Sequence, residues 1–434
     1  MLHKTQLHVD EVWTYALSNS ADRPYLYVWR TGIGDKSAPL RFSPYETALL
    51  DTEGVFLQQW HSGEEFKRYI TVQEGERFQY SSVVYNQTCD VHPPLYYFIV
   101  HTICSFFPDS FSVWYAFLPN LVFLIGSLFL LYCIAIRLGA NRLKALLTVL
   151  FWGISRAGIS DAVFLRMYMM LTFITLLSVY VHARFYEFHR GRYIILIFFI
   201  NLAGFLTQYY YYIFCFFLTA VFCIYFLIRR KTKLAIIYGC SVLGSVGLAV
   251  FLFPAVLDHV FRGAYTESST IHSDSFQRLF SWVGILVKDF VGTFSAIHAL
   301  IFVSVLFVFI FLLTVYLVLG FLRHKWFISD VKDKMSALFH RRSTLYWLIL
   351  LIAALSGFLL GLVSPNMPKY QDRYYFNILA ILAIYFVDLL MSAFSKLLSR
   401  GVLVRLRLPL MVAALAALTL SSNLSSRNNY IDYD

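Results

Sequence analysis

From residue 112 onward, the chain alternates long apolar runs with short basic segments. Each run approaches the roughly 20 apolar residues that a helix needs to cross a bilayer. The stretch 193–228 carries no charge and is too long for one helix, so we expect a turn at Gln208 and the tyrosines that follow it. The pattern predicts ten spans, at about 112–136, 143–159, 162–182, 193–207, 209–228, 234–256, 296–322, 345–363, 374–396 and 408–422.

The composition agrees with a membrane protein, because 59% of the residues are hydrophobic and only 14% are charged. Soluble domains carry about 25% charged residues, so a soluble enzyme is excluded. A net charge of +11 would indicate a nucleic-acid partner in a soluble protein. In a membrane protein, the same charge first indicates which loops face the cytoplasm.

Five basic segments, in alternate loops between the predicted spans, carry most of the positive charge. They hold 20 of the 36 Lys and Arg residues and three acids, a net charge of +17, while the remaining 16 basic and 22 acidic residues sum to −6. The positive-inside rule places these five segments in the cytoplasm. Residues 1–111, with 13 acidic and eight basic residues, are then expected outside.

A polar segment of this size needs a preceding span to cross the membrane, and the first 21 residues are too polar to form one. We therefore expect an eleventh helix before Met1 in the full-length protein, lost through a start assigned too late. Within the segment, 64–70, 78–86 and 95–107 show helix-like apolar spacing. Residues 93–107 are too few to span, and we expect this helix and a second at 276–293 to lie in the membrane interface.

The predicted fold is therefore all-α. It is a polytopic transmembrane helical bundle of about ten spans, eleven in the full-length protein, with an extracytoplasmic loop domain of interfacial helices. The predicted divisions are the loop domain at 1–111, the bundle at 112–425 and a short polar tail at 426–434. We expect a multi-pass protein of a bacterial inner membrane.

An adjacent acidic pair, Asp10 and Glu11, follows the first residues of the chain. Two neighbouring acids on a helix point about 100° apart, so one can face a cavity while the other meets a helix end or a basic partner. One interpretation is a helix N-terminus with acids in its first turn, which the helix dipole favours. The other is a general base at the membrane surface, within hydrogen-bond reach of an acceptor hydroxyl.

Asp90 and His92 stand immediately before two prolines that are expected to start a helix. Asp90 either caps that helix or, together with His92, lies at its N-terminal end, where an anion or a polar ligand group can bind. A cap explains Asp90 more readily than it explains His92.

Three cations are predicted on the outer side. Arg166 lies at the predicted outer end of the third span, where it either extends to the surface or meets a phosphate inside the bundle. Lys369 and Arg373 precede the ninth span among tyrosines. An aromatic belt is one interpretation of these tyrosines and of Tyr209–Tyr212. The other is that acids for proton transfer and cations for a phosphate share one face of the membrane.

These motifs resemble a known family. The chain is similar to the polytopic glycosyltransferases of the C superfamily, in the protein O-mannosyltransferase-like and aminoarabinose-transferase-like branch, which includes the dolichyl-phosphate-mannose-protein mannosyltransferase type. The motifs follow the family order along nearly the whole chain: the acidic pair at 10–11, DVHPPLYY at 90–97, RMY at 166–168, TQYY at 207–210 and DRYY at 372–375. The chain differs in lacking the first helix, in carrying Gln208 where many relatives have His, and in having only Asp161 as an acid near RMY.

The resemblance implies an inverting transfer of a sugar from a polyprenyl-phosphate donor to an acceptor on the outer face. It implies that Asp10 is the general base on the acceptor hydroxyl and Glu11 its supporting acid. Arg373, with Lys369 and Arg166, would bind the leaving phosphate, and Asp90 with His92 would position the acceptor or the sugar. The other expected substrate-binding residues are Tyr168, Gln208, Tyr209 and Tyr374.

The expected partners are the lipid-linked donor, a glycan, lipid or protein acceptor, and the bilayer, with no nucleic acid. We expect no cofactor and no metal, although some members of the superfamily use a divalent metal. Two other functions stay open: a transporter or flippase for a lipid-linked sugar, and an inactive homologue that assists assembly. Transport sites usually hold ionisable groups near the membrane midplane, where Asp388 is the candidate unless it is paired within the bundle.

Overall fold

The structure is a computed structural model that describes residue 4 and residues 6–21, 62–261, 343–363, 371–397 and 403–424. Within these ranges the regular structure is entirely helical, with no strand. The predicted all-α class is therefore confirmed for the part of the chain that the structure describes. The predicted interfacial helix at 276–293, the predicted span at 296–322 and the tail at 426–434 lie outside these ranges.

Among the described residues, four short α-helices precede the first long one. They are α1 (Val9–Asn19), α2 (Gly63–Ile70), α3 (Tyr80–Cys89) and α4 (Leu95–Ser105). The predicted helical patterns at 64–70, 78–86 and 95–107 are thus confirmed. Helix α1 packs against the other three, and α4 packs against the first long helix. Helix α1 is therefore the centre of this group.

The other α-helices of the described ranges form the bundle. In chain order they are α5 (Trp114–Arg137), α6 (Arg142–Ile154), α7 (Arg156–Val163), α8 (Tyr168–Phe188), α9 (Gly191–Phe205), α10 (Tyr210–Ile228), α11 (Thr232–Leu252), α12 (Ala255–Phe261), α13 (Thr344–Val363), α14 (Phe376–Leu397) and α15 (Leu403–Leu424). Helix α8 packs against α5, α9 and α14, so it lies at the centre of the bundle. Most residues of α8 are buried, whereas most residues of α11 are not.

Among the described residues, six helices are long and apolar enough to cross a membrane, and α6 with α7 makes a seventh if this bent pair is one span. The six are α5, α8, α10, α11, α13 and α14. The predicted run at 193–207 is a helix of only 15 residues, and the apolar part of α15, Leu408–Leu420, is also short. Several apolar helices thus fit a multi-pass membrane protein, and the prediction of ten or eleven spans is not confirmed. The predicted turn at Gln208 is confirmed, because α9 ends at Phe205 and α10 begins at Tyr210.

Helices α6 and α7 meet at a bend of 57°. Ser155 ends α6 and caps α7, and its hydroxyl accepts a hydrogen bond from the Gly158 backbone N–H. A Cβ at Gly158 would lie 2.1 Å from the carbonyl oxygen of Trp152, so this bend needs a glycine. The helix predicted as the third span, at 162–182, begins at Tyr168, which leaves Arg166 in the connection between α7 and α8.

Asp388 is paired within the bundle, as one of the two interpretations of the sequence expected. Its carboxylate binds Lys144 Nζ on α6 and accepts a hydrogen bond from the Tyr346 hydroxyl on α13 at 3.0 Å. These contacts join three helices. They give Asp388 a structural function that needs no transported ion.

Candidate functional site

The N-terminal end of α1 meets the 3-10 turn that precedes α14. This turn spans Gln371–Tyr374, and Arg373 extends from it so that Nη1 pairs with Oδ2 of Asp10. Among the described residues, Oδ1 of Asp10 receives no hydrogen bond, and one fifth of the side chain is exposed. The carboxylate therefore has one oxygen held by a cation and one oxygen open to a ligand.

Arg166 lies on the other side of the same helix end. Its Nη1 donates to the Asp10 carbonyl oxygen at 3.2 Å and to Thr14 Oγ1 at 3.4 Å, and its guanidinium carbon lies 5.9 Å from the centroid of the Tyr97 ring. The side chain is 2% exposed. The alternative that Arg166 extends to the surface is therefore wrong, because the residue is buried and its Nη1 and Nη2 atoms contact protein groups.

These two arginines set the charge state of Asp10. Burial alone would raise the pKa of Asp10, but the positive charges of Arg166 and Arg373 outweigh it and lower the pKa below its ordinary value. Asp10 is therefore ionised at neutral pH. An ionised carboxylate accepts protons and hydrogen bonds and donates none.

Glu11 points away from Asp10, as the angular argument from the sequence expected. Its Oε1 binds Lys4 Nζ at 2.7 Å and accepts the Leu165 N–H at 2.8 Å, and its Oε2 accepts the His8 N–H at 2.8 Å. The His8 contact belongs to a capping box at the start of α1. Burial raises the pKa of Glu11 and lowers that of Lys4, and the attraction between the two charges opposes both shifts. Glu11 thus anchors α1 to the connection that carries Arg166.

Asp90 and His92 form a second acid-base pair beside Arg166. Oδ2 of Asp90 lies 2.7 Å from Nδ1 of His92, and Nη2 of Arg166 lies 3.4 Å from both ring nitrogens. Burial lowers the pKa of His92, so the ring is neutral. Burial would raise the pKa of Asp90, but His92 and Arg166 outweigh it and keep the pKa low. The Asp90 carboxylate can only accept, which assigns the ring proton to Nδ1.

This pair also corrects the cap interpretation of Asp90. Asp90 directly follows α3, and its carboxylate binds His92 and no N–H of α4. The residue before α4 is Pro94, which makes no side-chain cap hydrogen bond. The two prolines fix the chain ahead of α4, as predicted, while Asp90 orients the His92 ring.

Aromatic side chains continue the site beyond Arg373. Arg373 Nη2 donates to the Tyr374 hydroxyl at 3.1 Å, and the Tyr374 ring lies against the rings of Tyr168 and Tyr210, at 6.2 and 5.0 Å between centroids. The Tyr209 hydroxyl lies 2.7 Å from Nδ1 of His259. Tyr209, Tyr210 and Tyr374 are at most 7% exposed. The aromatic-belt interpretation is therefore wrong for them, because belt residues lie at the lipid surface.

Gln208 is fully buried at the turn between α9 and α10. Its Oε1 accepts the Tyr209 N–H at 2.6 Å, and its Nε2 has no acceptor among the described residues. The structure thus links eight of the predicted site residues around the start of α1, while Gln208 and Tyr209 lie at the start of α10, where Tyr209 contacts His259. Lys369 lies outside the described residues.

Several residues of the site were missed in the sequence. Arg156 is 1% exposed, and its Nη2 lies 3.8 Å from Oδ2 of Asp372, the residue before Arg373. Arg156 falls inside the run predicted as the second span, and an ionisable residue there is itself an indication of function. Lys4, His8 and His259 had no such indication, because the contacts that place them at the site are with Val163, Phe164 and Thr88, far away in the chain.

Within the described ranges, no group of three or more His, Cys, Asp or Glu side chains is arranged to hold a metal ion. What the arrangement offers is an ionised carboxylate with one open oxygen, flanked by two guanidinium groups. Such a site can remove a proton from a hydroxyl group and stabilise negative charge within a few ångströms.

Comparisons with known proteins give no relative, since no family model, no curated protein and no solved structure matches the chain. The function is therefore inferred from the residues above and their contacts.

Proposed function

We propose that the protein is an integral-membrane glycosyltransferase. It transfers a sugar from a polyprenyl-phosphate donor to an acceptor on the outer face of the membrane, with inversion at the anomeric carbon. The observation that carries the proposal is the Asp10 carboxylate, ionised and partly exposed between Arg373 and Arg166.

Asp10 acts as the general base. Its open Oδ1 accepts the proton of the acceptor hydroxyl while that oxygen bonds to the anomeric carbon. The bond from the anomeric carbon to the phosphate oxygen breaks, and its electron pair leaves with the polyprenyl phosphate. Attack from the face opposite the leaving phosphate inverts the anomeric configuration.

Arg373 and Arg166 stabilise the negative charge that grows on the phosphate as this bond breaks. Guanidinium groups match phosphate oxygens in geometry and stay charged at any working pH. When the phosphate is bound, Arg373 shares its guanidinium between the phosphate and Asp10. Lys369 is proposed to assist from the segment that precedes Arg373. The buried rings of Tyr168, Tyr210 and Tyr374 provide an apolar wall that keeps water from the reacting centre.

Glu11 supports the base indirectly by fixing the first turn of α1, and it does not contact Asp10 in the described structure. Asp90 orients His92, whose Nε2 faces Arg166. We propose that this pair and Gln208 with Tyr209 position the sugar or the acceptor.

The test uses the full chain in proteoliposomes with a polyprenyl-phosphate sugar that carries a radiolabel on the sugar. An acceptor fraction comes from membranes of the cells that express the protein. We expect label to move from the lipid into the acceptor fraction, with the anomeric configuration of the product opposite to that of the donor by NMR. Empty liposomes are the control for spontaneous transfer.

Two outcomes would overturn the proposal. One is label that crosses the bilayer while it stays on the lipid, which would make the protein a transporter. The other is no change in the donor, which would favour a homologue without activity. Retention of the anomeric configuration would remove the single-displacement mechanism and the assigned function of Asp10.

A further inference from the structure

Two hydrogen-bond donors beside Asp10 are buried without an acceptor among the described residues. They are the hydroxyl of Tyr97 on α4 and Nε of Arg166. Tyr97 is 0% exposed and Arg166 is 2% exposed. Buried polar groups in folded proteins nearly always have a partner, and leaving one unpaired costs free energy. Two such donors on side chains that contact each other suggest that a ligand satisfies them.

The two donors belong to one cluster. The Arg166 guanidinium carbon lies 5.9 Å from the centroid of the Tyr97 ring. The Nη1 atom of Arg166 is bonded to the Asp10 carbonyl and Thr14, and Nη2 contacts His92, so Nε is the donor that remains. The Tyr97 phenol also lies within electrostatic range of Asp90, Tyr168 and Asp10.

The ligand that fits these donors is an acceptor with negative charge. Burial raises the pKa of Tyr97 well above its ordinary value, so the phenol keeps its proton at neutral pH and can donate it in a hydrogen bond. Arg166 has only donors and a fixed positive charge. A sugar hydroxyl would satisfy one of these groups, whereas a phosphate group accepts from both and neutralises the guanidinium.

We propose that the Tyr97 hydroxyl and Arg166 Nε bind one phosphate group. Naming this group as the phosphate of the lipid donor rests on the proposed function. Tyr97 is then a further substrate-binding residue, which adds a neutral donor to the cations already assigned to the phosphate.

The preceding residue provides a matched control. Tyr96 is also 0% exposed, but its hydroxyl donates to Oδ1 of Asn120 at 3.0 Å. Tyr96→Phe therefore removes a hydrogen bond within the chain, and Tyr97→Phe removes only an unpaired hydroxyl. The two variants lose the same atom from neighbouring positions of one helix.

The experiment measures thermal unfolding and ligand affinity of the full chain in lipid nanodiscs. The ligands are polyprenyl phosphate, the corresponding polyprenol and inorganic phosphate. Tyr97→Phe is expected to weaken the binding of polyprenyl phosphate about tenfold or more, since hydrogen bonds to charged groups are the stronger ones. The affinity of Tyr97→Phe for polyprenol is expected to stay unchanged. Its unfolding temperature without ligand is expected to stay unchanged or to rise. Tyr96→Phe is expected to unfold at a lower temperature and to bind phosphate with the affinity of the wild type.

Equal affinity of Tyr97→Phe and wild type for both phosphate ligands would overturn the inference, and so would an equal loss of polyprenol binding. An affinity for inorganic phosphate that depends on Tyr97 supports the inference. Comparing it with the affinity for polyprenyl phosphate shows how much the polyprenyl tail adds to binding. If this dependence is found while no sugar is transferred, the proposed function fails and the phosphate site remains. If sugar is transferred and the affinity of Tyr97→Phe is unchanged, only the inference about Tyr97 fails.

Discussion

Arg373 and Asp10 lie 363 positions apart in the chain, and their side chains form an ion pair at the end of α1. This contact joins the first described helix to the turn before α14. It also decides which oxygen of Asp10 is available, because Arg373 holds Oδ2. The pair therefore holds α1 against the turn before α14, and it also lowers the pKa of the proposed base Asp10.

Replacing Arg373 is expected to shift the fall of kcat/KM at low pH to a higher pH. Burial opposes ionisation of Asp10, and Arg166 and Arg373 overcome that effect, so Arg373→Gln raises the pKa of Asp10. In the wild type, the fall of kcat/KM at low pH that reports Asp10 lies below its unperturbed pKa of about 3.9. In Arg373→Gln this fall is expected at higher pH, together with a lower maximal rate.

Arg373→Lys is the control, because it keeps the positive charge and loses the planar guanidinium. In Arg373→Lys, the fall of kcat/KM at low pH is expected at nearly the same pH as in the wild type, although the affinity of the variant for the phosphate is lower. If the acid limbs of all three proteins coincide, Asp10 is not the group that the profile reports.

Asp10 also couples stability to pH. Because folding lowers the pKa of Asp10, its contribution to stability is fully present above the unfolded pKa of about 3.9 and is lost as the pH falls through the lower, folded value. The difference in unfolding temperature between wild type and Asp10→Asn is therefore expected to shrink as the pH falls below about 4. A difference that is independent of pH would show that folding does not lower the pKa of Asp10.

The buried pair of Arg156 and Asp372 is expected to position Arg373. Breaking a buried ion pair at one partner costs about 3–5 kcal/mol, because the other charge is left uncompensated. Arg156→Gln and Asp372→Asn should each lower the unfolding temperature. The double variant, which buries no charge at this position, should recover most of the stability but little of the transfer activity, because the turn that carries Arg373 is no longer held. Full recovery of both would mean that the pair acts only on stability.

The Lys4–Glu11 contact is expected to stabilise the protein without taking part in the chemistry. Lys4→Met leaves the fully buried Glu11 carboxylate with its backbone donors alone. We expect a lower unfolding temperature and a kcat/KM whose pH dependence matches the wild type in membranes held well below that temperature. A displaced acid limb would instead show that Lys4 influences the charge of Asp10.

Much of the architecture could be predicted because the physics is local. Apolar runs of sufficient length predict helices, and the charge-free stretch 193–228 divides at Gln208 as its polar residue indicated. The bend at Ser155 was missed, because its cause is a tertiary fit in which Gly158 approaches the Trp152 carbonyl. The sequence alone could not show that α7 is a separate helix, bent away from α6, and that the next helix begins only at Tyr168.

The candidate site divides in the same way. The cation Arg166 could be selected because charge beside a membrane span is costly. The adjacent acids Asp10 and Glu11 could be selected because neighbouring positions on a helix point about 100° apart, so that one acid can face a cavity. The partners of Asp10 and Glu11 could not be predicted from the sequence, because the two adjacent acids bind different cations. Asp10 pairs with Arg373, and Glu11 pairs with Lys4. For the tyrosines at 209–210, the sequence left the aromatic belt and the site open as alternatives. Their burial depends on α12 and on the turn before α14, which no local pattern reveals.

The most direct measurement is the rate of sugar transfer by Asp10→Asn in membranes, compared with wild type and with Asp109→Asn as the matched control. Asp109 is exposed and has a positive φ that Asn tolerates. Loss of a general base is expected to lower the rate of Asp10→Asn by about 10²–10⁴. Its binding of polyprenyl phosphate should be retained or tighter, since Arg373 is released from the carboxylate. Asp109→Asn should transfer at the rate of the wild type, and equal transfer by Asp10→Asn would contradict Asp10 as the base.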